Sequence, residues 1–286
     1  MNKIIGLLAA WGAEDWVRPA IKQALEYCDE VMVVVTAWTP ELKKFKDGTL
    51  NICKEYRDLR LLDYDPHKTR TTHAVCATFN HMLKNSRLFT LGNWVWILDA
   101  DEFYADSAHR KIRSVVEDGR YDWIKIESRF FYINMQHYLK GWNNRLFRVE
   151  NIENGFKPTN IWSRPARNIY TLPRKTGMFH YSMLTDTRRH RVRWHVTYHS
   201  AGPQWDRIKW LDEIYPKYDL EDEEYWIEEN FKMFGIRSPW FNRGLTPNEE
   251  GGLFKYEGGH PKFIEEAGLH KVKDFREFNK AKKGGS

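Results

Sequence analysis

The sequence predicts an α/β fold built on an open, mostly parallel sheet of the nucleotide-binding type, flanked by helices and followed by a C-terminal helical extension. Three observations predict it. A strand, a helix and a second strand follow one another between Lys3 and Thr36, which is a βαβ unit. The apolar run Asn93-Trp94-Val95-Trp96-Ile97-Leu98 reads as a buried strand and ends abruptly in Asp99, Asp101 and Glu102, so it delivers charge to a sheet edge. The chain of 286 residues is 15% aromatic, has 13 Trp and lacks low-complexity tracts, so it folds and can bury a large core.

Lys3 to Ala10 is the first strand. Glu14 to Cys28 is an amphipathic helix, with Trp16, Ala20, Ala24 and Cys28 recurring at four-residue steps, and Pro19 falls in its first turns, where a missing N–H is tolerated. In the second strand, Glu30 to Thr36, the run of valines at 31, 33, 34 and 35 is of the kind buried on both faces of a parallel sheet. Arg60 to Leu62 is a short third strand, followed by the turn-rich loop Asp65-Pro66-His67-Lys68-Thr69-Arg70 and a helix over Thr71 to Asn85.

Past Phe103 the pattern changes. Tyr121 to Ile133 and Asn144 to Val149 are aromatic-rich strand candidates, and Glu150 to Thr176 carries the Asn, Pro and Gly breakers of loops that shape an acceptor pocket. Gln204 to Tyr218 and Glu221 to Phe234 are helix candidates, the second with a solvated acidic face. No repeat or clean linker interrupts the chain. The expected organisation is one domain whose nucleotide-binding half is 1–104 and acceptor half 105–200, a helical extension over 201–283, and a linker remnant at 284–286.

Composition narrows the function. Net charge is +6 with a pI near 9.0, which fits an anionic ligand such as a nucleotide or a membrane-surface acceptor, although many enzymes with no such partner are equally basic. Cys28, Cys53 and Cys76 are odd in number and far apart, so they form neither a metal-ligand pair nor a disulfide framework, and a reducing, cytoplasmic setting is expected. The N-terminus reads as a first strand rather than a signal peptide, and no apolar run approaches the ~20 residues that span a bilayer. Neither G-x-G-x-x-G nor a P-loop lysine motif occurs, which argues against a dehydrogenase and a P-loop ATPase.

In an α/β sheet the carboxyl end of a central strand faces the ligand crevice, which puts Asp99, Asp101 and Glu102 where substrates bind. Closely spaced carboxylates suit a hard divalent cation that bridges to phosphates. The blander readings are an N-cap for a helix over Phe103 to Val116 and, for Glu102, an ion pair with a nearby Arg or Lys. Lys68 and Arg70, in a loop before a helix, suit phosphate binding or a solvated basic loop. Glu14 and Asp15 either cap the first helix or reach the nucleotide. Arg188, Arg189, Arg191 and Arg193, with His190 among them, form exposed surface or a loop that closes on an anion; His195 and His199 are weaker ligand candidates.

Four markers, in order, carry a resemblance. Glu14-Asp15-Trp16 after strand one, Trp96-Ile97-Leu98-Asp99-Ala100-Asp101-Glu102, Phe179-His180-Tyr181-Ser182 and Gly258-Gly259-His260-Pro261 resemble elements of the family-2 type of inverting glycosyltransferases, in a bacterial and phage branch. The resemblance implies a GT-A fold and a D-x-D motif, with Asp99, Asp101 and Glu102 as catalytic residues. It implies a divalent metal, Mn²⁺ or Mg²⁺, held by Asp101, with His180 as a further ligand that suits Mn²⁺. Glu14, Asp15, Lys68, Arg70 and Asp99 would bind a nucleotide-diphosphate sugar, Asp99 contacting the donor ribose or the ion through water. The acceptor would be a glycan or lipid-linked, with no nucleic acid partner and at most peripheral membrane contact. Two departures stand out: Thr36-Ala37-Trp38-Thr39 replaces the usual Asp-Asp-Gly-Ser, and Gly12-Ala13 precedes Glu14 where an Asn is usual. For the general base Glu127, Glu150, Glu153 and Asp186 are all available, and the aromatics Tyr132, Tyr138, Trp142 and Trp162 suit sugar stacking. The alternatives are a nucleotidyltransferase, though Gly12-Ala13-Glu14-Asp15 lacks the basic loop that class carries, and a non-catalytic sugar- or nucleotide-binding protein.

Overall fold

The computed structural model describes residues 2–37, 43, 47–68, 73–132, 134–151, 155–156, 167–184, 217, 254–272 and 275. Trp38, Arg70, Glu153, Trp162, Asp186, the 188–193 run, His195, His199 and, apart from Lys217, the expected helices over 204–218 and 221–234 lie outside the described residues. The chain divides into two compact units, one of Met1–Arg129, Trp142–His180 and Gly259–His270, the other of Phe130–Gly141, Tyr181–Gly258 and Lys271–Ser286.

In the first unit β1 (Ile4–Ala10), α1 (Glu14–Tyr27) and β2 (Glu30–Val35) form the expected βαβ unit. They are followed by α2 (Thr49–Lys54), β3 (Arg60–Leu62), α3 (Ala74–Asn85), β4 (Trp94–Leu98), β5 (Glu102–Tyr104) and α4 (Asp106–Asp118). Then come β6 (Trp123–Tyr132), β7 (Asn134–Arg148), β8 (Ile169–Leu172) and β9 (Met178–Met183); β6, β7 and β9 each run on into the second unit. A short helix, α5 (Lys262–Glu266), closes the first unit.

The sheet order is β3-β2-β1-β4-β7-β6-β9-β5, with β8 beside β6. The first four strands are parallel, and β7 then pairs antiparallel with β4, as β9 does with β5. The result is the predicted mixed α/β sheet, mostly parallel and flanked by helices, consistent with a nucleotide-binding GT-A-like fold. The order runs from β3 back to β1 and then jumps to β4, so the end of β4 lies beside the point where the strand order reverses, a switch point of the kind at which open sheets bind ligands.

Every residue of β1 and β4 is buried, as continuous apolar runs predict for central parallel strands. On one face Ile5, Leu7, Val95 and Ile97 pack with Phe79, Met82 and Leu83 of α3 and with Phe147 of β7. On the other, Trp96 stacks on Tyr27 of α1 at 6.4 Å and meets Tyr104 edge-on at 4.9 Å. Each such side chain removed from water stabilises the fold by roughly 1.5–3 kcal/mol, so β4 is rigidly held right up to its charged end. Pro19 is buried within α1, and the helix runs through it although its ring leaves the Asp15 carbonyl without the usual helical donor.

Phe103 does not open a helix. Glu102–Tyr104 form β5 instead, and α4 starts at Asp106 with Ala105 as its N-cap residue and no side-chain cap, so the carboxylates after β4 do not cap a helix. In the second unit β10 (Phe254–Lys255) pairs with β7, Phe254 opposite Tyr138, and Phe131 stacks on Tyr181 at 5.1 Å with Tyr256 edge-on at 5.5 Å. No disulfide joins the three cysteines. Among the described residues no helix is long and apolar enough to cross a membrane.

Candidate functional site

Asp99 follows β4 directly, and a tight turn, with the Glu102 N–H donating to the Asp99 carbonyl at 3.1 Å, swings the chain into β5. β5 pairs antiparallel with β9 so that Glu102 lies opposite His180. Four residues that the sequence singles out therefore converge: Asp99, Asp101, Glu102 and His180. His180 Nε2 lies 3.4 Å from Asp101 Oδ1, and its Nδ1 lies 3.7 Å from Glu102 Oε1.

A fifth member is Arg145 of β7, which sequence reasoning missed. Its Nη2 donates to Asp99 Oδ2 at 2.6 Å and also to Glu102 Oε1, and the Asn143 amide reaches the same Glu102 oxygen at 3.4 Å. The ion pair considered for Glu102 is thus present, with a partner 43 residues away. The signal was period two. Phe147, Arg145 and Asn143 fall on one face of β7, and Phe147 and, just past the strand's end, Val149 are core residues of the α3 side. A polar pair continuing an inward apolar face points inward as well, and Arg145 is buried.

Burial and charge act against each other here. Burial pushes the Glu102 carboxyl well above the usual range, with Arg145 pulling it back. Burial also opposes the Arg145 charge, but Asp99 and Glu102 outweigh it and raise its pKa, so it stays a cation. Burial lowers the His180 pKa against the pull of Asp101, which leaves the imidazole neutral at pH 7 and suited to ligation. Glu102 has no exposed surface, and its Oε2 has no hydrogen-bond partner among the described residues.

The remaining residues fall elsewhere. Glu14 and Asp15 open α1 without capping it by side chain; the Glu14 N–H donates to Asp47 Oδ2 at 3.1 Å while Glu14 Oε2 accepts from the Gly48 N–H at 3.0 Å, a reciprocal brace to the chain before α2. Lys68 ends a 3₁₀ turn over Pro66–Lys68 and is exposed. In that turn His67 Nε2 lies 3.0 Å from the Ala37 carbonyl, which ties the loop after β3 to the end of β2. The His260 ring stands edge-on to Phe179 at 6.0 Å, so the fourth marker sits against the third. Of the candidate bases, Glu127 accepts from the Arg174 N–H at 2.9 Å and Glu150 pairs with Arg148 at 3.2 Å. Trp142 is 52% exposed, with the Lys125 ammonium 4.2 Å from its ring.

Arg145 engages Asp99 and Glu102, while Asp101 and His180 face each other, and it is this second pair that a cation would meet. Their 3.4 Å separation is close to the ~3 Å between adjacent ligands about 2.1 Å from one ion. Among the described residues no group of three or more His, Cys, Asp or Glu side chains is arranged to hold a metal. Asp101 and His180 would supply at most two ligands, so an ion held there would take the rest from substrate and water.

No family model and no curated relative matches the chain. Among solved structures it is similar to one described as an active-site mutant of LgtC, a glycosyltransferase, at 14% identity and a TM-score of 0.27, over 51% of this chain and 57% of that one. The chain spans little more than half of that structure's length, and so slight a likeness does not bear on function.

Proposed function

We propose that the protein is a metal-dependent glycosyltransferase that moves a sugar from a nucleotide-diphosphate sugar to a glycan or lipid-linked acceptor, with inversion. The observation that carries this reading is the pairing of Asp101 with His180 at the end of β4, at the switch point of an open α/β sheet. A divalent ion bound there would act as a Lewis acid and neutralise the charge of the departing nucleoside diphosphate. Asp101 and a neutral His180 would hold it. Asp99, fixed by Arg145, accepts a hydrogen bond from the donor ribose, and Glu102 shares the same guanidinium. Glu14 and Asp15 at the start of α1 and Lys68 and Arg70 after β3 contribute to the donor side. A carboxylate of the acceptor half takes the proton of the attacking hydroxyl.

Thermal-shift measurement of the protein with nucleoside diphosphates and their sugars, with and without Mn²⁺, tests the reading. A ligand at 100 times its Kd stabilises the fold by about 2.7 kcal/mol, so a Mn²⁺-dependent rise in Tm is expected for at least one nucleotide and is absent in Asp101→Asn. The reading is abandoned if no nucleotide moves Tm in either condition, or if Asp101→Asn retains full Mn²⁺-dependent turnover of the donor.

A further inference from the structure

We infer that Arg145 is the built-in counter-cation of the carboxylate cluster, a positioning residue that holds Asp99 and Glu102 and keeps Asp99 from joining Asp101 at an external cation. The inference deepens the proposed function and rests on it only for the behaviour of the native chain. Its ground is geometric. One guanidinium nitrogen bridges Asp99 and Glu102, the arginine side chain is 4% exposed, and Asn143 supplies a second donor to the same Glu102 oxygen.

The placement is built into the strand. β7 runs antiparallel to β4 with Leu146 opposite Trp96 and Phe147 opposite Val95, and continuing that register puts Arg145 opposite Ile97, two residues before Asp99. Leu146 and Phe147 have no exposed surface, so the backbone that carries Arg145 is anchored in the core. A side chain so held acts as a fixed charge rather than a mobile clamp on substrate phosphates.

The electrostatic consequence is specific. Three carboxylates within four residues repel one another, and in a poorly solvated site such a cluster either protonates or gathers cations. A guanidinium already seated between two of them removes both from competition for a metal. Loss of that guanidinium, with the fold kept, frees the 38% exposed Asp99 side chain to join Asp101 at a cation, a site that the native chain lacks.

The test is a Mn²⁺ titration of the protein alone, without nucleotide, followed by water-proton relaxation, with Tm measured for each variant. Arg145→Met is expected to bind Mn²⁺ roughly tenfold or more tightly than the native chain, to lose that gain when Asp99→Asn is added, and to regain native behaviour in Arg145→Lys, whose ammonium restores the charge. If Arg145→Met does not fold, Arg145→Met combined with Glu102→Gln removes one charge of each sign and reads the same gain through Asp99. Mn²⁺ affinity equal to the native value in whichever of these variants folds overturns the inference and leaves Arg145 a packing residue. If the native chain binds no Mn²⁺ even with a nucleoside diphosphate added, while Arg145→Met gains it alone, the metal-dependent function fails and the counter-cation role stands.

Discussion

His180 Nε2 lies 3.4 Å from Asp101 Oδ1, although 79 residues separate them, because the antiparallel pairing of β5 and β9 sets Glu102 opposite His180. Both side chains are mostly buried, and burial keeps the imidazole neutral, the form that ligates a metal. His180→Gln, similar in size but without the aromatic nitrogen, is expected to weaken Mn²⁺ binding by roughly tenfold or more, about 1.4 kcal/mol, with Tm little changed. Calorimetric titration of Mn²⁺ in the presence of a nucleoside diphosphate measures it. An unaltered affinity would remove His180 from the ligand set.

The elements legible in the sequence were those whose stability is local or whose pattern is uniform. β1, β2 and β4 are where apolar runs and flanking breakers put them, because a strand buried on both faces needs no partner to be recognised, and the short edge strand β3 also falls where it was expected. The pair Asp101 and His180 was reached through motifs rather than through periodicity. Arg145 was missed because its partners lie 43 and 46 residues away and only the register of β7 on β4 brings them together. β5, three residues long, has no periodicity to detect; its existence depends on β9 beside it and on a side chain from α1. α2 and β8 were missed for the same reason, being short and held by their neighbours.

That side chain is Gln23, buried at 2% exposure in α1, which treats β5 as a further strand would. Its amide nitrogen donates to the Glu102 carbonyl at 3.0 Å and its oxygen accepts from the Tyr104 N–H at 2.7 Å. β5 ends the sheet order, so these backbone groups face no further strand. Gln23→Leu leaves a buried donor and a buried acceptor without partners, each at about 1–3 kcal/mol, and is expected to destabilise the fold by roughly 2–4 kcal/mol. Because Glu102 rides on β5, Mn²⁺-dependent nucleotide binding should weaken as well. Denaturant unfolding gives the first quantity; a loss below about 0.5 kcal/mol would mean that β5 does not need the Gln23 bonds.

Two carboxylates at the start of β2 set an acid limit on stability. Burial would raise the Asp29 pKa, but donors from the Ile4 N–H, Lys3 and Arg113 hold it below the ordinary value; at Glu30, Ser86, Arg60 and the N–H groups of Arg87 and Leu88 likewise outweigh burial. Groups with depressed folded-state pKa values contribute fully above their unfolded values, about 3.9 for Asp and 4.3 for Glu, and lose that contribution as pH falls through the folded values. From these two residues no change in stability is expected between pH 7 and pH 5, followed by a steep fall below about pH 4. In Asp29→Asn the native chain's advantage at pH 7 should shrink on acidification. A difference between the two proteins that stays constant from pH 7 to pH 3 would show that Asp29 is not held in this way.

Gly177 marks where β9 enters the sheet, and it tests whether that strand carries His180 as described. A Cβ built on Gly177 would stand 1.9 Å from the Glu127 carbonyl oxygen and 3.2 Å from the Arg174 Cα, both backbone atoms that cannot swing aside as a side chain would. The approach is close because the Arg174 N–H bonds to the Glu127 carboxylate and the turn over Arg174–Thr176 folds the chain back against β6. Gly177→Ala must displace either this turn or β6, and overpacking against rigid backbone costs about 1–3 kcal/mol or more. Since β9 places His180 against Asp101, the displacement reaches the site three residues on. Tm and Mn²⁺ affinity are therefore expected to fall together in Gly177→Ala, whereas Gly119→Ala, at the left-handed end of α4 with open space around its Cβ, should lower Tm by conformational strain alone and leave Mn²⁺ affinity intact. Equal effects of the two substitutions on Mn²⁺ affinity would break the link between the Gly177 contact and the placing of His180.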